Sequence, residues 1–123
     1  AETIEWIKRW NKEITKSKKM TFFDVGSNIG IYSIFAAALA STEVFSFEPV
    51  SNNYSSLFKN VNANNFEHLH IFNIALSNKN NLTDLYIPDL RNGNSGAQVG
   101  VSVNEDGAQL CKPKSSYRKF IPY

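Results

Sequence analysis

Residues 23–30 read Phe23-Asp24-Val25-Gly26-Ser27-Asn28-Ile29-Gly30, a short apolar run that stops at a glycine-rich turn. The run begins at Met20 and is rich in aromatic and β-branched residues, so it predicts a buried strand over residues 20–25. Apolar residues and alanines then recur at helical spacing over residues 30–40. The segment therefore predicts a strand joined to a helix by a tight turn.

The same alternation continues toward the C-terminus. Residues 44–47 predict a second strand, Ser51 is a plausible helix N-cap, and residues 69–75 predict a third strand. Strands that alternate with helices favour a parallel sheet with right-handed crossovers. The apolar positions expected to face the core are Ile31, Ile34, Phe35 and Ala38 in the first of these helices and Tyr54, Leu57, Phe58 and Val61 in the second.

The flanking segments have different patterns. Residues 1–19 predict an amphipathic helix with a Glu5–Arg9 ion pair, and the apolar face comprises Ile4, Ile7, Trp10 and Ile14. Residues 82–87 favour a strand, residues 97–103 alternate as a half-buried antiparallel strand does, and Asp106-Gly107 is a turn signal.

The predicted fold is a single α/β domain over residues 1–123. It is a three-layer sandwich of parallel core strands with helices on both faces and an antiparallel β insertion. Residues 1–19 form the N-terminal helix, 20–78 a βαβαβ unit that binds a cofactor, and 79–123 an antiparallel β extension and tail.

The turn has the features of a ligand site. Gly26 and Gly30 permit a tight reversal and a close approach of the backbone to a ligand, and the following helix offers free N–H groups. A dinucleotide fingerprint spaces its glycines G-x-G-x-x-G, whereas Asn28 stands at the second glycine here. Asp24 would repel a pyrophosphate but suits the cationic amino group of an amino acid. The turn therefore predicts a nucleoside joined to an amino acid.

A second carboxylate follows at the end of the second strand. Glu48 comes twenty-four residues after Asp24, and an acid in this position can accept two hydrogen bonds from a ribose diol. Pro49, which follows it, offers an apolar surface to an adenine.

Composition excludes several other classes. A formal net charge of +2 gives no indication of a nucleic-acid partner, and the longest apolar candidate, residues 29–40, is too short for a membrane span. Cys111 is the only cysteine, and no signal peptide is evident, which predicts a cytoplasmic protein. No metal site is predicted, because His68 and His70 share a face of the third strand without a third ligand.

Three pieces of the sequence resemble the FkbM-type methyltransferases, a class I family that uses S-adenosylmethionine. They are residues 23–30, then Phe47-Glu48-Pro49 with Asn53 and Asn60, and finally Asn73-Ile74-Ala75-Leu76-Ser77. The resemblance runs from Thr21 to Gly100 and implies a Rossmann-like class I methyltransferase fold. It also implies methyl transfer to a hydroxyl oxygen of a sugar, glycolipid or natural product, so a small-molecule or glycan acceptor is expected.

The resemblance implies a cofactor role for each matching residue. Asp24 would hold the methionine amino group, and Glu48 would bind the ribose hydroxyls. Ala75 and its neighbours would meet the adenine edge through backbone groups. The residues that would line the methionine and ribose are Gly26, Ser27, Asn28 and Gly30.

The sequence departs from the family in one respect. A Lys-Ile-Asp-x-Glu-Gly element that closes the active site of the family is not found, so we expect the chain to stop before the fourth core strand. No catalytic base is assigned, and the open sheet edge predicts association of copies. Two alternatives remain: a truncated, non-catalytic cofactor-binding or interaction module, and a nucleotide-dependent oxidoreductase, which the glycine spacing disfavours.

Overall fold

The structure, a computed structural model, describes residues 2–14, 16–78, 80, 82–86, 98–99 and 117–120. Three helices and three strands make up the N-terminal part, and short strands follow. In chain order they are α1 (Glu2–Ile14), β1 (Met20–Val25), α2 (Ile31–Ala37), β2 (Thr42–Phe47), α3 (Ser51–Asn64), β3 (Leu69–Phe72), β4 (Ala75–Leu76), β5 (Leu82–Thr83), β6 (Leu85–Tyr86), β7 (Gln98–Val99) and β8 (Tyr117–Phe120).

The first three strands form a parallel sheet in the order β1-β2-β3. β1 pairs with β2 from Met20↔Thr42 to Val25↔Phe47, and β2 pairs with β3 from Val44↔Leu69 to Phe47↔Phe72. α2 and α3 are the crossovers between these strands. The predicted α/β alternation with a parallel sheet is confirmed, and its topology is Rossmann-like.

The core lies on one face of this sheet. Right-handed crossovers that advance in the same direction place both crossover helices on the same side. Accordingly, α1, α2 and α3 all contribute to one cluster against the strands. Its buried members are Ile7, Met20, Ala36, Ala37, Val44, Leu57, Val61 and Leu69.

The opposite face carries a ladder of aromatic rings. The Phe23 ring stacks on those of Phe45 and Phe47 at centroid distances of 5.3 and 6.2 Å, and Phe47 stacks on Phe72 at 5.2 Å. Phe23 is 56% exposed and Val25 is 62% exposed. The prediction of a buried strand therefore holds only for the inner face of β1, and the helices predicted for the second face are not among the described residues.

α2 is shorter than predicted and rotated relative to the prediction. It ends at Ala37 instead of Ala40, and Ser33, Ala36 and Ala37 face the core. Ile31 is 64% exposed, and Ala38 is also exposed. The Ser33 hydroxyl bonds to a carboxylate on β1, and this bond is compatible only with Ser33 facing the sheet.

α1 and α3 also bury fewer apolar residues than predicted. In α1 only Ile7 is buried, whereas Trp10 and Ile14 are exposed, and Glu5 pairs with Lys8 instead of Arg9. In α3 the predicted Leu57 and Val61 are buried, but Phe58 is 51% exposed. The α3 N-cap is Val50, not Ser51, and it makes no side-chain cap.

The later strands form smaller sheets. β8 pairs parallel with β4 and antiparallel with β5, and β6 pairs antiparallel with β7. The predicted third strand over 69–75 is thus divided, because β3 ends at Phe72 and Ala75 begins β4. The predicted antiparallel strand is confirmed at Gln98–Val99. The rest of it, together with Ile87, Asp106-Gly107 and Cys111, lies outside the described residues.

Within the described part of the chain, no helix has the length and apolar character needed to cross a membrane.

Leu57→Ala should test how far the fold depends on the contact between α3 and the sheet. Leu57 is fully buried, and truncation of a buried leucine typically costs about 2–5 kcal/mol of unfolding free energy. Its neighbour Phe58 is half-exposed, so Phe58→Ala should cost clearly less. Urea denaturation of both variants measures the difference, and equal losses would contradict this placement of α3.

Candidate functional site

The turn between β1 and α2 lies at the carboxyl edge of the parallel sheet. The backbone N–H groups of Gly26 and Ser27 donate to the Phe47 carbonyl, at 2.8 and 3.0 Å, so the turn is fixed to the end of β2. Ligands of open α/β sheets bind outside the carboxyl ends of the strands. The predicted site is therefore at the edge where such ligands bind.

Three of the five residues from Gly26 to Gly30 have left-handed backbone conformations. Gly26, Asn28 and Gly30 have φ values of 77°, 55° and 92°. A Cβ on Gly30 would lie 2.5 Å from Leu57 Cδ1, whereas a Cβ on Gly26 would meet nothing within 4 Å. Gly30 thus leaves the space that the Leu57 side chain of α3 occupies. Of the two glycines, Gly26 is the one with open space beside its backbone.

Glu48 links the two loops at this edge. It is 4% exposed; its Oε2 accepts the Asn28 N–H at 2.7 Å, and its Oε1 accepts the Val50 N–H at 2.8 Å. Burial raises the pKa of Glu48, and these backbone hydrogen bonds, with one from the Asn53 side chain, oppose the rise. The predicted ribose-binding acid therefore has a structural task, which is to hold the turn against the loop that begins α3.

Two asparagines from the pieces that resemble the methyltransferases support the same loops. Asn60 Nδ2 donates to the Ile29 carbonyl, and Asn73 Nδ2 donates to the Glu48 carbonyl, both at 2.8 Å. Each side chain donates to a carbonyl of a loop at this edge. Their place in the pattern thus has a structural reason.

Asp24 is bonded to the first turn of α2. Its Oδ2 accepts the Ser33 hydroxyl at 2.5 Å, and the carboxylate also accepts the Ser33 backbone N–H. The N-cap residue, Gly30, offers no side chain, so Asp24 caps the helix from the neighbouring strand. Burial raises the pKa of Asp24, and the two bonds from Ser33 oppose the rise.

The other predicted site residues lie in different surroundings. Ser27 is 6% exposed, and its Oγ has no hydrogen-bond partner among the described residues. Pro49 is half-buried beside Glu48. Ala75 is buried in β4, where it pairs with Lys119, so it belongs to a different sheet from the turn.

The two histidines do not share a strand face as predicted. His68 precedes β3, and its Nε2 lies 2.6 Å from the Ala37 carbonyl at the end of α2. His70 stacks on Phe45 on the aromatic face and contacts Glu43 at 3.1 Å. Among the described residues, no three acidic, histidine or cysteine side chains converge as metal ligands.

Ser33 and Ser46 were not predicted to belong to the site. Both are fully buried, and Ser46 Oγ donates to Ser33 Oγ at 2.5 Å, so they form a chain of hydroxyls that leads to Asp24. The signal in the sequence is a lone serine within the apolar run of α2 and another within β2. A hydroxyl at an apolar face must find a partner, but the sequence does not say which.

A cavity of about 570 Å³ lies at the opposite, amino edge of the sheet. It is lined by Lys19, Phe66, His68 and residues 37–42. This cavity contains none of the predicted site residues, and ligands of open α/β sheets bind at the other edge.

The charges at the carboxyl edge are unbalanced. Glu48 is buried and Asp24 is half-buried, and neither takes part in an ion pair within the described part of the chain. Buried carboxylates that lack a cationic partner are costly. This arrangement suits a ligand that brings positive charge.

No family model matches the chain, and no curated protein matches it significantly. The resemblance to the FkbM-type methyltransferases therefore rests on three short pieces of sequence. The structure establishes an α/β domain with a three-stranded parallel sheet and helices between the strands.

Gly30→Ala and Gly26→Ala form a matched pair that tests the turn. Both residues have a left-handed φ, which costs a non-glycine residue about 1–2 kcal/mol. Gly30→Ala also brings its Cβ into Leu57, and such overpacking adds about 1–3 kcal/mol. Urea denaturation should therefore show the larger loss for Gly30→Ala. A larger loss for Gly26→Ala would contradict the packing of the turn on α3.

The pH dependence of stability should report the burial of Asp24. Because its folded-state pKa is raised above 3.8, its contribution to stability is fully present below that value and is lost as the pH rises through the folded pKa. Asp24→Asn cannot titrate, so the free energy of unfolding of the wild type should fall relative to that of the variant between about pH 4 and pH 7.

Glu43→Gln is the control for this measurement. Hydrogen bonds from Lys19 and His70 lower the pKa of Glu43, so its contribution is present above 4.5 and is lost as the pH falls. The free energy of unfolding of the wild type, relative to that of Glu43→Gln, should therefore rise with pH, which is the opposite of the change expected for Asp24→Asn. Urea denaturation across this pH range checks both signs, and parallel curves for the wild type and Asp24→Asn would show that Asp24 is not buried.

Proposed function

We propose that this chain is the cofactor-binding portion of an S-adenosylmethionine-dependent methyltransferase. The observation that carries the proposal is the pair of carboxylates, the half-buried Asp24 and the buried Glu48, which take part in no ion pair of the described residues and lie beside a glycine-rich turn at the carboxyl edge. The resemblance adds the reaction: methyl transfer to a hydroxyl oxygen of a sugar, glycolipid or natural product. The acceptor would be a small molecule or a glycan.

The residues at the turn fit such a ligand. Gly26 has open space beside its backbone, and the buried Ser27 hydroxyl has no partner among the described residues. The Asp24 carboxylate attracts an ammonium group, and Pro49 offers an apolar surface to a base. Glu48 holds the turn through Asn28, and the lone pairs that remain on its oxygens are the acceptors proposed for the ribose hydroxyls.

The cofactor itself would supply a methyl group that its sulfonium has already activated. The protein then has to position the acceptor hydroxyl in line with that methyl group and to remove a proton from it. Within the part of the chain that the structure describes, we assign no base to this step. We also expect copies to associate along β1, whose outer edge has no strand partner among the described strands.

A non-catalytic binding or interaction module is the second candidate. It is favoured by the internal use of both carboxylates, since Asp24 caps α2 and Glu48 joins two loops. A dinucleotide-dependent oxidoreductase has less support, because Asn28 replaces the second glycine and Asp24 would repel a pyrophosphate.

Isothermal titration calorimetry should detect binding of S-adenosylmethionine and S-adenosylhomocysteine, but not of NAD or ATP. Asp24→Asn should weaken S-adenosylhomocysteine by about tenfold, since a hydrogen bond to a charged group is worth about 1.5–3 kcal/mol. The same variant should bind adenosine nearly as the wild type does, because adenosine lacks the amino group.

Glu67→Gln is the matched control, since Glu67 is an exposed carboxylate in the loop that precedes β3. It should leave the affinity for every ligand unchanged. A preference for NAD, or no binding of any adenosyl ligand by a folded sample, would refute the proposed function. Binding without transfer to any hydroxyl acceptor would favour the non-catalytic module.

A further inference from the structure

A chain of two buried hydroxyls and one half-buried carboxylate connects β2, α2 and β1. Ser46 on β2 donates its hydroxyl to Ser33 on α2, and Ser33 donates its hydroxyl to Asp24 on β1, each at 2.5 Å. Both serines have no exposed surface. The chain therefore exchanges no hydrogen bonds with bulk water at its serine end.

The chain has a fixed direction. An ionised carboxylate can only accept hydrogen bonds, so the Ser33 proton must point to Asp24, and the Ser33 oxygen is then free to accept from Ser46. A proton on Asp24 Oδ2 that pointed at Ser33 would require both hydroxyls to reverse, and Ser46 would need a new acceptor for its proton. The arrangement of the serines thus matches the charged form of Asp24.

The Ser33 backbone N–H also favours the charged form of Asp24. It lies in the first turn of α2 and donates to the same carboxylate, so a single residue holds Asp24 with two donors. Two donors from one residue fix the orientation of the carboxylate as well as its charge. What this chain does not provide is a counter-ion, since none of the ion pairs of the described residues includes Asp24.

We propose that Ser33 and Ser46 are positioning residues that keep Asp24 ionised and oriented, and that they thereby make the site selective for ligands that carry an ammonium group. This inference rests on the proposed function, because it assigns a selectivity to the same site. Ser33 acts directly on the carboxylate. Ser46 acts through Ser33, so its effect has the same direction and a smaller size.

The experiment compares Ser33→Ala, Ser46→Ala and a control, Ser55→Ala, which changes an exposed serine on α3. Calorimetry measures the affinities for S-adenosylhomocysteine and for adenosine, and carbon-detected NMR titration follows the Asp24 carboxyl without ligand. Ser33→Ala should weaken S-adenosylhomocysteine about tenfold but change adenosine less than about twofold. It should also raise the Asp24 pKa, because a hydrogen bond that opposes the effect of burial is lost.

Ser46→Ala should also weaken the binding of S-adenosylhomocysteine and raise the pKa of Asp24, but both effects should be smaller. Ser55→Ala should change neither the affinity nor the pKa. Ser46→Ala retains the direct bond between Ser33 and Asp24, so it serves as the test if Ser33→Ala does not fold. Circular dichroism identifies the folded variants.

The outcomes separate the two proposals. If the wild type binds no adenosyl ligand, the proposed function is wrong and the selectivity is overturned with it. The wild type could bind S-adenosylhomocysteine while Ser33→Ala and Ser46→Ala weaken the binding of adenosine as much as that of S-adenosylhomocysteine. In that case only the proposed selectivity is wrong. The proposed selectivity is also overturned if the Asp24 carboxyl titrates identically in the wild type, in Ser33→Ala and in Ser46→Ala.

Discussion

The Glu48 carboxylate accepts a backbone amide from each of two loops, Asn28 after β1 and Val50 after β2. A turn with three left-handed residues is strained, and such strain persists only where the surroundings impose the conformation. Hydrogen bonds from backbone amides to a charged acceptor are among the stronger ones in a protein. Glu48 thus fixes the turn relative to β2, and Asn60 completes this support through the Ile29 carbonyl. Every other feature of the carboxyl edge depends on that geometry.

The inner face of the sheet is apolar at the amino ends of the strands and polar at their carboxyl ends. At the amino end, Met20 and Val44 are buried among helix side chains, whereas at the carboxyl end Asp24 and Ser46 take the same face. A polar group in such a position must be paired, and Ser33 of α2 pairs with both. The rotation of α2 therefore follows from the polar end of the sheet as much as from its apolar end. The opposite face has the reverse gradient, because Thr21 and Glu43 lie at its amino end and the aromatic rings lie toward its carboxyl end.

Local pattern predicted β1 to the residue and gave the right order of the first three strands and their helices. Residue types and spacing also placed Asp24, Gly26 and Glu48 at one edge, since the ends of parallel strands meet there. The rotation of α2 was not predictable, because periodicity does not record that Ser33 bonds to a strand. Likewise, the sequence does not show which neighbour would clash with a side chain at a motif glycine. At Gly30 that neighbour is Leu57.

The carboxylates of Glu48 and Asp24 differ in how many of their hydrogen-bond acceptor positions the fold uses. Both oxygens of Glu48 accept backbone amides from separate loops, and the side chain is 4% exposed. Asp24 accepts only from Ser33 in the bonds described, and more of its surface is open. Burial is the main reason that the pKa of Glu48 is raised, and the negative charge of Asp24 adds to the rise. A cation placed at Asp24 relieves that repulsion without disturbing the bonds of Glu48. The fold therefore uses one carboxylate to build the turn and leaves the other to meet positive charge.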